Sequence, residues 1–216
     1  MQLIDLSHSI EHGMITYKGL PAPLVCDFLS REDSKSRYAP GTEFQIGKIE
    51  MVTNTGTYLD CPFHRYADGK DLSQIHLEKL AELDGVLIDA ENNLSIDKKF
   101  FEGKELAGKA VIVSTGWSNH WRTDTYFENH PFLTEDAAHY LVEQKVKLVG
   151  IDSHNIDDTR TNARPVHSAL LKNEILIVEH MTNLHRLKGK SFIFNAVPPK
   201  FVGVGTFPVR AFAKVD

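Results

Sequence analysis

Asp60 and His64 lie four residues apart in the segment Asn54-Thr55-Gly56-Thr57-Tyr58-Leu59-Asp60-Cys61-Pro62-Phe63-His64. A carboxylate and an imidazole at that spacing can ligate a metal ion or move a proton near neutral pH. Gly56 and Pro62 place special demands on the backbone, and such turns expose side chains in clusters. Two further groups qualify by type. His167 sits in Val166-His167-Ser168-Ala169-Leu170-Leu171, which reads as a short helix. Glu179 follows the run Ile175-Leu176-Ile177-Val178, the most apolar strand pattern in the chain. A carboxylate there is at least partly buried, and a buried carboxylate needs a partner. A metal ion would serve, and so would an imidazole, of which the chain has 11.

Other motifs fail. There is no Gly-x-x-x-x-Gly-Lys phosphate loop and no paired Cys-x-x-Cys. Gly203-Val204-Gly205 lacks the third glycine and the helix pattern of a dinucleotide fingerprint. Gly116-Trp117-Ser118-Asn119-His120 follows a buried strand pattern, but bulky His120 stands where a nucleophile elbow closes on glycine. Cys61 lies near His64, yet a lone small residue beside Pro62 reads as core.

The elements that must position these groups alternate. Val86-Leu87-Ile88, Val111-Ile112-Val113, Leu148-Val149-Gly150-Ile151 and Ile175-Leu176-Ile177-Val178 read as buried strands. The polar residues that follow them are Asp89, Ser114, Asp152 and Glu179. Between them, Leu77, Leu80 and Ala81 predict one helix face, with Gly85 as the stop. Ala138, Leu141 and Val142 predict another, with Thr134 as N-cap. This alternation points to α/β architecture, with mixed strands at both ends: Met1–Asp5, 43–53 with a bulge near Gly47, Phe192–Val197 and Val209–Val215. Ligands in such folds lie beyond strand ends, so Asp152, Glu179 and the Asn54 segment are expected around one pocket. The loop-rich first fifth, with Gly19, Pro21, Pro23 and Pro40-Gly41, suits a substrate-facing flap or a surface meander.

The 216 residues show no repeat, linker or boundary, so a single domain over 1–216 is expected. A net charge of −5 leaves no basic footprint for nucleic acid, and Arg186, Lys188 and Lys190 read as a solvated loop. No apolar stretch reaches membrane-spanning length and no signal peptide is evident. Cys26 and Cys61 alone suit a reducing compartment, so the expected location is the cytoplasm.

The Asn54–His64 segment resembles the signature of the cyclase family, which includes bacterial kynurenine formamidase and isatin hydrolase. Members carry His-x-Gly-Thr-His-x-Asp-x-Pro-x-His. Ile4-Asp5-Leu6-Ser7, Thr115-Gly116-Trp117-Ser118, Gly150-Ile151-Asp152, His167 and Glu179 also fall in family order. The resemblance implies a single-domain swivelling β/β/α fold with mixed sheets, and a homo-oligomer, dimer or tetramer. It also implies hydrolysis of a small amide, formamide or cyclic amide with divalent metal. By resemblance, Asp60, His167 and Glu179 are metal ligands, and His64 transfers protons. Asn54 and Tyr58 stand in place of two ligating histidines. An amide oxygen and a phenol of pKa near 10 are poor replacements, so the first metal site is expected to be lost or weakened. The remaining set suits one ion of manganese, zinc or magnesium. Asn54, Phe63, Tyr66 and Trp117, with Trp121, are expected to contact the substrate. Two rival readings follow from the same residues. One is metal-independent lactone opening, isomerisation or dehydration by Tyr58, Asp60 and His64; the other is a scaffold that binds a small ligand unchanged.

Overall fold

The computed structural model describes residues 1–215. Thirteen strands run in chain order: β1 Gln2–Asp5, β2 Leu24–Leu29, β3 Ile46–Glu50, β4 Tyr58–Asp60, β5 Leu83–Asp89, β6 Ser95–Ile96, β7 Ala110–Ser114, β8 Phe132–Leu133, β9 Leu148–Ile151, β10 Leu176–Glu179, β11 Phe192–Asn195, β12 Thr206–Pro208 and β13 Phe212–Val215. The α-helices are α1 Arg31–Ser34, α2 Glu135–Glu143 and α3 Pro165–Lys172. Nine strands form one mixed sheet in the order β1-β13-β11-β5-β7-β9-β10-β4-β12. The four apolar runs supply its parallel centre, β5-β7-β9-β10. Antiparallel strands extend it on both sides.

The central runs are continuous rather than alternating because both faces are covered. Val111, Val113, Val149, Ile151 and Ile177 pack on one core with Leu141 of α2 and with Val166, Leu170 and Leu171 of α3. Ile112, Leu148, Leu176 and Val178 face the other core, which also holds Ile4, Leu59, Phe194 and Ala213. Strands from both ends of the sheet therefore share that second core. The sheet curls around it, and a Ser7–Met181 bridge ties the β1 end back to the chain just after β10. Each fully buried Leu or Ile contributes about 1.5–3 kcal/mol. This doubly covered centre is thus the rigid frame on which the site is built.

Three local expectations change. Residues 77–81 form only a 3-10 turn, Leu77–Lys79, and Leu77 is exposed. Five residues with no further apolar turn cannot offset helix nucleation. Gly85 lies inside β5, where a Cβ would sit 1.9 Å from the Phe192 ring, so close packing rather than a helix stop requires glycine there. Of 43–53 only Ile46–Glu50 is strand, paired with β2 alone, and the bulge lies opposite, between Asp27 and Leu29. Phe44, Ile46 and Ile49 of that ribbon are exposed. At α2, Thr134 precedes the helix as expected, but its hydroxyl bonds the Ile96 carbonyl and the Asp136 carboxylate rather than a helix N–H.

Candidate active site

Strand register assembles the site. β4 lies antiparallel between β10 and β12, with Tyr58 opposite Glu179 and Asp60 opposite Thr206. Directly opposed side chains on one face are within reach of each other. Tyr58 and Asp60, two apart on β4, are both buried. The Tyr58 hydroxyl donates to Glu179 Oε2 at 2.6 Å, and the Ile156 N–H donates to Oε1 at 2.6 Å. On the other side, Thr206 donates its hydroxyl proton to Asp60 Oδ1 and lies 2.8 Å from His64 Nδ1. A hydroxyl has one proton. With that proton directed at Asp60, the neutral His64 ring donates from Nδ1 and leaves Nε2 unprotonated. The approach of β12 to this turn depends on Gly205, where a Cβ would lie 2.3 Å from the His64 backbone nitrogen.

His167 enters from the first turn of α3. Asp157 holds it in three ways: Oδ1 accepts from the Val166 N–H at 2.7 Å, and Oδ2 accepts from the His167 N–H at 3.0 Å and from the ring Nδ1 at 2.6 Å. One carboxylate thus caps the helix and sets the imidazole tautomer. His167 Nε2 then lies 3.7 Å from Asp60 Oδ2 and 3.8 Å from Glu179 Oε1. Asp60 Oδ2 is buried and has no hydrogen-bond partner among the described residues. Ligand atoms of Asp60, His64 and His167 all lie within 4.8 Å of one another.

This arrangement asks for positive charge. Burial works against a charge on His167, but Glu179, Asp157 and Asp60 outweigh it and hold the imidazole above its ordinary range. Burial raises Glu179, and the Asp60 charge raises it further against the opposing His167. Either a proton on His167 or a cation beside it relieves the crowding. An orphaned buried carboxylate oxygen, an imidazole fixed by a second carboxylate and a third carboxylate nearby make the donor set of a divalent-ion site.

A cleft of about 260 Å³ opens over these groups, lined by Tyr17, Leu20, Asn54, Tyr58, His64, Arg65, Asn155, Arg164, His167 and Glu179. Tyr17 and Leu20 come from the Gly/Pro-rich first loop. The Tyr17 hydroxyl lies 2.9 Å from that of Tyr58, accepts from Asn155 Nδ2 at 3.0 Å and lies 2.9 Å from the His154 carbonyl.

The family model described as "Putative cyclase" matches residues 4–158. The chain belongs to the cyclase family. A kynurenine formamidase from Bacillus cereus is 30% identical over 209 residues, covering 96% of this chain and 95% of that protein. A solved structure described as a potential metal-dependent hydrolase with cyclase activity superposes with a TM-score of 0.78 at 26% identity, covering 98% of this chain and 96% of the other. Isatin hydrolase A from Ralstonia solanacearum shares the fold, with a TM-score of 0.81 at 19% identity over 98% and 91% of the two chains.

Within the cyclase pattern, the structure brings Asp60, His64, His167, Glu179, Tyr58 and Asn54 to one cleft or its floor. The expected aromatic wall is not there. Phe63 packs against the curled-sheet core, and Tyr66 packs against the helix-side core with its hydroxyl on the Ser168 carbonyl. Trp117 lines a separate cavity with Asn119 and His120, and Trp121 stacks on His8. The turn after Pro62 directs Phe63 and Tyr66 toward the cores, where apolar area is better buried. Asp152 also falls outside the cleft: it is buried and bonded to the N–H groups of Thr115 and Gly116 and to the Thr115 hydroxyl. Cys61 is core, with its thiol pushed up to about 12 by burial.

The sequence reading missed Thr206, Asp157 and Tyr17. Only Thr206 left a signal. The small residues Gly203-Val204-Gly205 before it fail as a nucleotide loop but permit close backbone approach. Tyr17 acts across a long sequence separation and Asp157 across the loop before α3, and no local pattern marks either.

Proposed function

We propose that the chain hydrolyses the C–N bond of a small amide, formamide or cyclic amide, using one divalent ion and His64. The observation that carries this reading is the unpartnered Asp60 Oδ2 facing His167 Nε2 at 3.7 Å. Asp60, His167 and Glu179 would hold the ion, and manganese, zinc or magnesium suits two carboxylates and an imidazole. Such an ion supplies Lewis-acid polarisation of the carbonyl and a more acidic water. His64 takes a proton from the attacking water at Nε2 and returns it to the leaving nitrogen. Thr206 keeps that nitrogen free by accepting from Nδ1. Asp157 keeps His167 from rotating. Relatives named kynurenine formamidase support this class of bond.

The same reading has the first family metal position lost. Burial, and next the Glu179 charge, pushes the Tyr58 hydroxyl well above its ordinary pKa, which disfavours a phenolate ligand. Its proton is committed to Glu179. That hydrogen bond also favours the metal-independent reading with Tyr58 as a proton donor. A deeply buried phenol of raised pKa is a poor one, so the metal-dependent reading stands first. The exposed apolar ribbon of Leu24, Val25, Phe28, Ile46 and Ile49 supports a homo-oligomer as part of this proposal, which sedimentation velocity tests.

The decisive assay uses purified protein on N-formylkynurenine and simple aryl formamides, with and without added manganese or zinc. Turnover is expected to need the ion, with one ion per chain by elemental analysis. His64→Asn should lower kcat about 10²- to 10⁴-fold. Absence of both turnover and bound ion overturns the proposal. Turnover that survives a chelator but fails in Tyr58→Phe favours the metal-independent alternative.

A further inference from the structure

Two arginines line the cleft, and neither is paired with a carboxylate among the described residues. Arg65 follows His64, and its Nε donates to Ser168 Oγ at 3.2 Å, beside His167. Arg164 is the residue before α3. It is half-buried, and its Nη1 donates to the Thr161 and Ala163 carbonyls at 2.7 and 2.6 Å. Among the described residues, Nη1 and Nη2 of Arg65, and Nε and Nη2 of Arg164, have no hydrogen-bond acceptor. A guanidinium cannot shed its proton near neutral pH, so both charges persist. A solvated surface arginine would account for Arg65 alone. It does not account for Arg164, whose Nη1 is anchored on backbone carbonyls at the edge of the site.

The rest of the lining sharpens the point. Asn54, Asn155, Tyr17 and Tyr58 are neutral, and Leu20 is the one aliphatic side chain among the ten. The single carboxylate on the wall, Glu179, is already held by Tyr58 and the Ile156 N–H. The volume of about 260 Å³ leaves room for no more than a small ring beside the charged groups. The volume and the lining suit a short molecule with a reacting carbonyl at one end and an anion at the other.

We infer that the substrate is a small amide bearing a carboxylate, and that Arg65 and Arg164 bind that carboxylate while the amide lies over His64 and His167. The planar fork of arginine matches a carboxylate in two parallel hydrogen bonds. Loss of one such charge-assisted contact should weaken binding about 10- to 100-fold. The inference rests on the hydrolase reading for the position of the amide, but not for the anion site itself.

The test is therefore first a binding measurement. Calorimetry compares anthranilate with anthranilamide, which differ in charge and little in shape. The protein should bind anthranilate at least about 10-fold more tightly. Because a carboxylate can also approach a metal ion, the preference is measured again in Arg164→Met and Arg65→Met, where it should fall toward unity. Arg164→Lys, which keeps the charge without the fork, should restore part of it. The kinetic arm compares N-formylanthranilate with N-formylanthranilamide. The KM ratio of this pair should collapse in the Met variants, while the kcat ratio moves less. Equal affinity for the two ligands, binding of neither at millimolar concentration, or a preference untouched in both Met variants overturns the inference. A charge preference that depends on the arginines, with hydrolysis of neither formyl compound, leaves the anion site standing and removes the hydrolase reading. Hydrolysis of both compounds with equal KM does the reverse.

Discussion

One buried histidine in the site and a cluster of four histidines beyond Tyr17 carry opposite charge preferences. His167 sits among Asp60, Asp157 and Glu179, and those carboxylates hold it above the ordinary imidazole range despite burial. His8, His154 and His180 sit instead among Trp121, Tyr17, Tyr126 and Phe127, with His130 against His154. There burial dominates: His8 is lowered to about 4, His154 to about 3, and His180 well below its usual value. Tyr17 lies on the boundary, its hydroxyl on Tyr58 and its ring against His154 and His180. The side chain is the same, and His154 and His180 are as buried as His167. The neighbouring carboxylates decide, because one nearby negative charge can outweigh the desolvation of an imidazolium.

The strongest way to break this contrast is to remove the carboxylate whose buried oxygen has no partner among the described residues. Asp60→Asn should lower kcat about 10²- to 10³-fold, the several kcal/mol a bound ion supplies to the transition state, and should abolish ion binding by elemental analysis. If Asp60→Asn retains both activity and metal, the acidic group is not a metal site.

Asp157→Asn tests the support behind His167. Metal affinity should fall about 10- to 100-fold by competition with a chelating dye, because the ring loses its fixed tautomer. Thermal stability should fall as well, since the same carboxylate caps α3.

Tyr58 sharpens the boundary between the two groups. Tyr58→Phe leaves Glu179 Oε2 without its donor, so a cost of about 1–3 kcal/mol in denaturant unfolding is expected, with metal still bound. The pair Asn54→His with Tyr58→His should raise the metal content from one ion per chain to two. Retention of a single ion in that variant means that more than these two side chains separates the site from the family's two-metal pattern.

The last prediction concerns stability in acid and not the chemistry of the site. A histidine whose folded pKa lies below its unfolded value near 6.5 binds its proton in the unfolded state first. Stability is then full above pH 6.5 and is lost as pH falls toward the folded value. His8, His130, His154 and His180 all act in this direction. Asp152, raised to about 6 by burial against its hydrogen bonds to Thr115 and Gly116, acts oppositely below pH 6, and Glu179, raised to about 7 chiefly by burial, acts oppositely across the whole window. Four histidines against two carboxyls leave a net loss between pH 6.5 and 4, up to about 1.4 kcal/mol per pH unit for each uncompensated proton. Urea unfolding across that range measures it. A flat profile would mean that the aromatic-side histidines are not buried neutral.

The legible parts of the fold were those with strong periodic signals. The four central strands, α2 and α3 stand where their apolar runs and spacing place them. The weak elements went astray for a common reason. A five-residue apolar pattern at 77–81 and an alternating one at 43–53 have no fixed meaning until neighbours decide which face is covered. The site divides in the same way. Asp60, His64, His167 and Glu179 converge as their family pattern implies. Phe63 and Tyr66 turn toward the cores instead, because aromatic rings near a pocket gain more from packing there than from facing solvent, and Trp117 lines a different cavity.

By itself the sequence determined the α/β alternation, the reactive residue types, the family, and the replacement of two histidines by Asn54 and Tyr58. These depend on side-chain identity and short spacing, which the chain carries directly. Tertiary structure alone decided which oxygen and nitrogen atoms remain free for a ligand. Thr206 reaches Asp60 and His64 through strand register, Asp157 reaches His167 across a loop, and Tyr58 meets Glu179 across neighbouring strands. Hydrogen bonds depend on atomic positions to a few tenths of an ångström, and only the folded sheet supplies those positions.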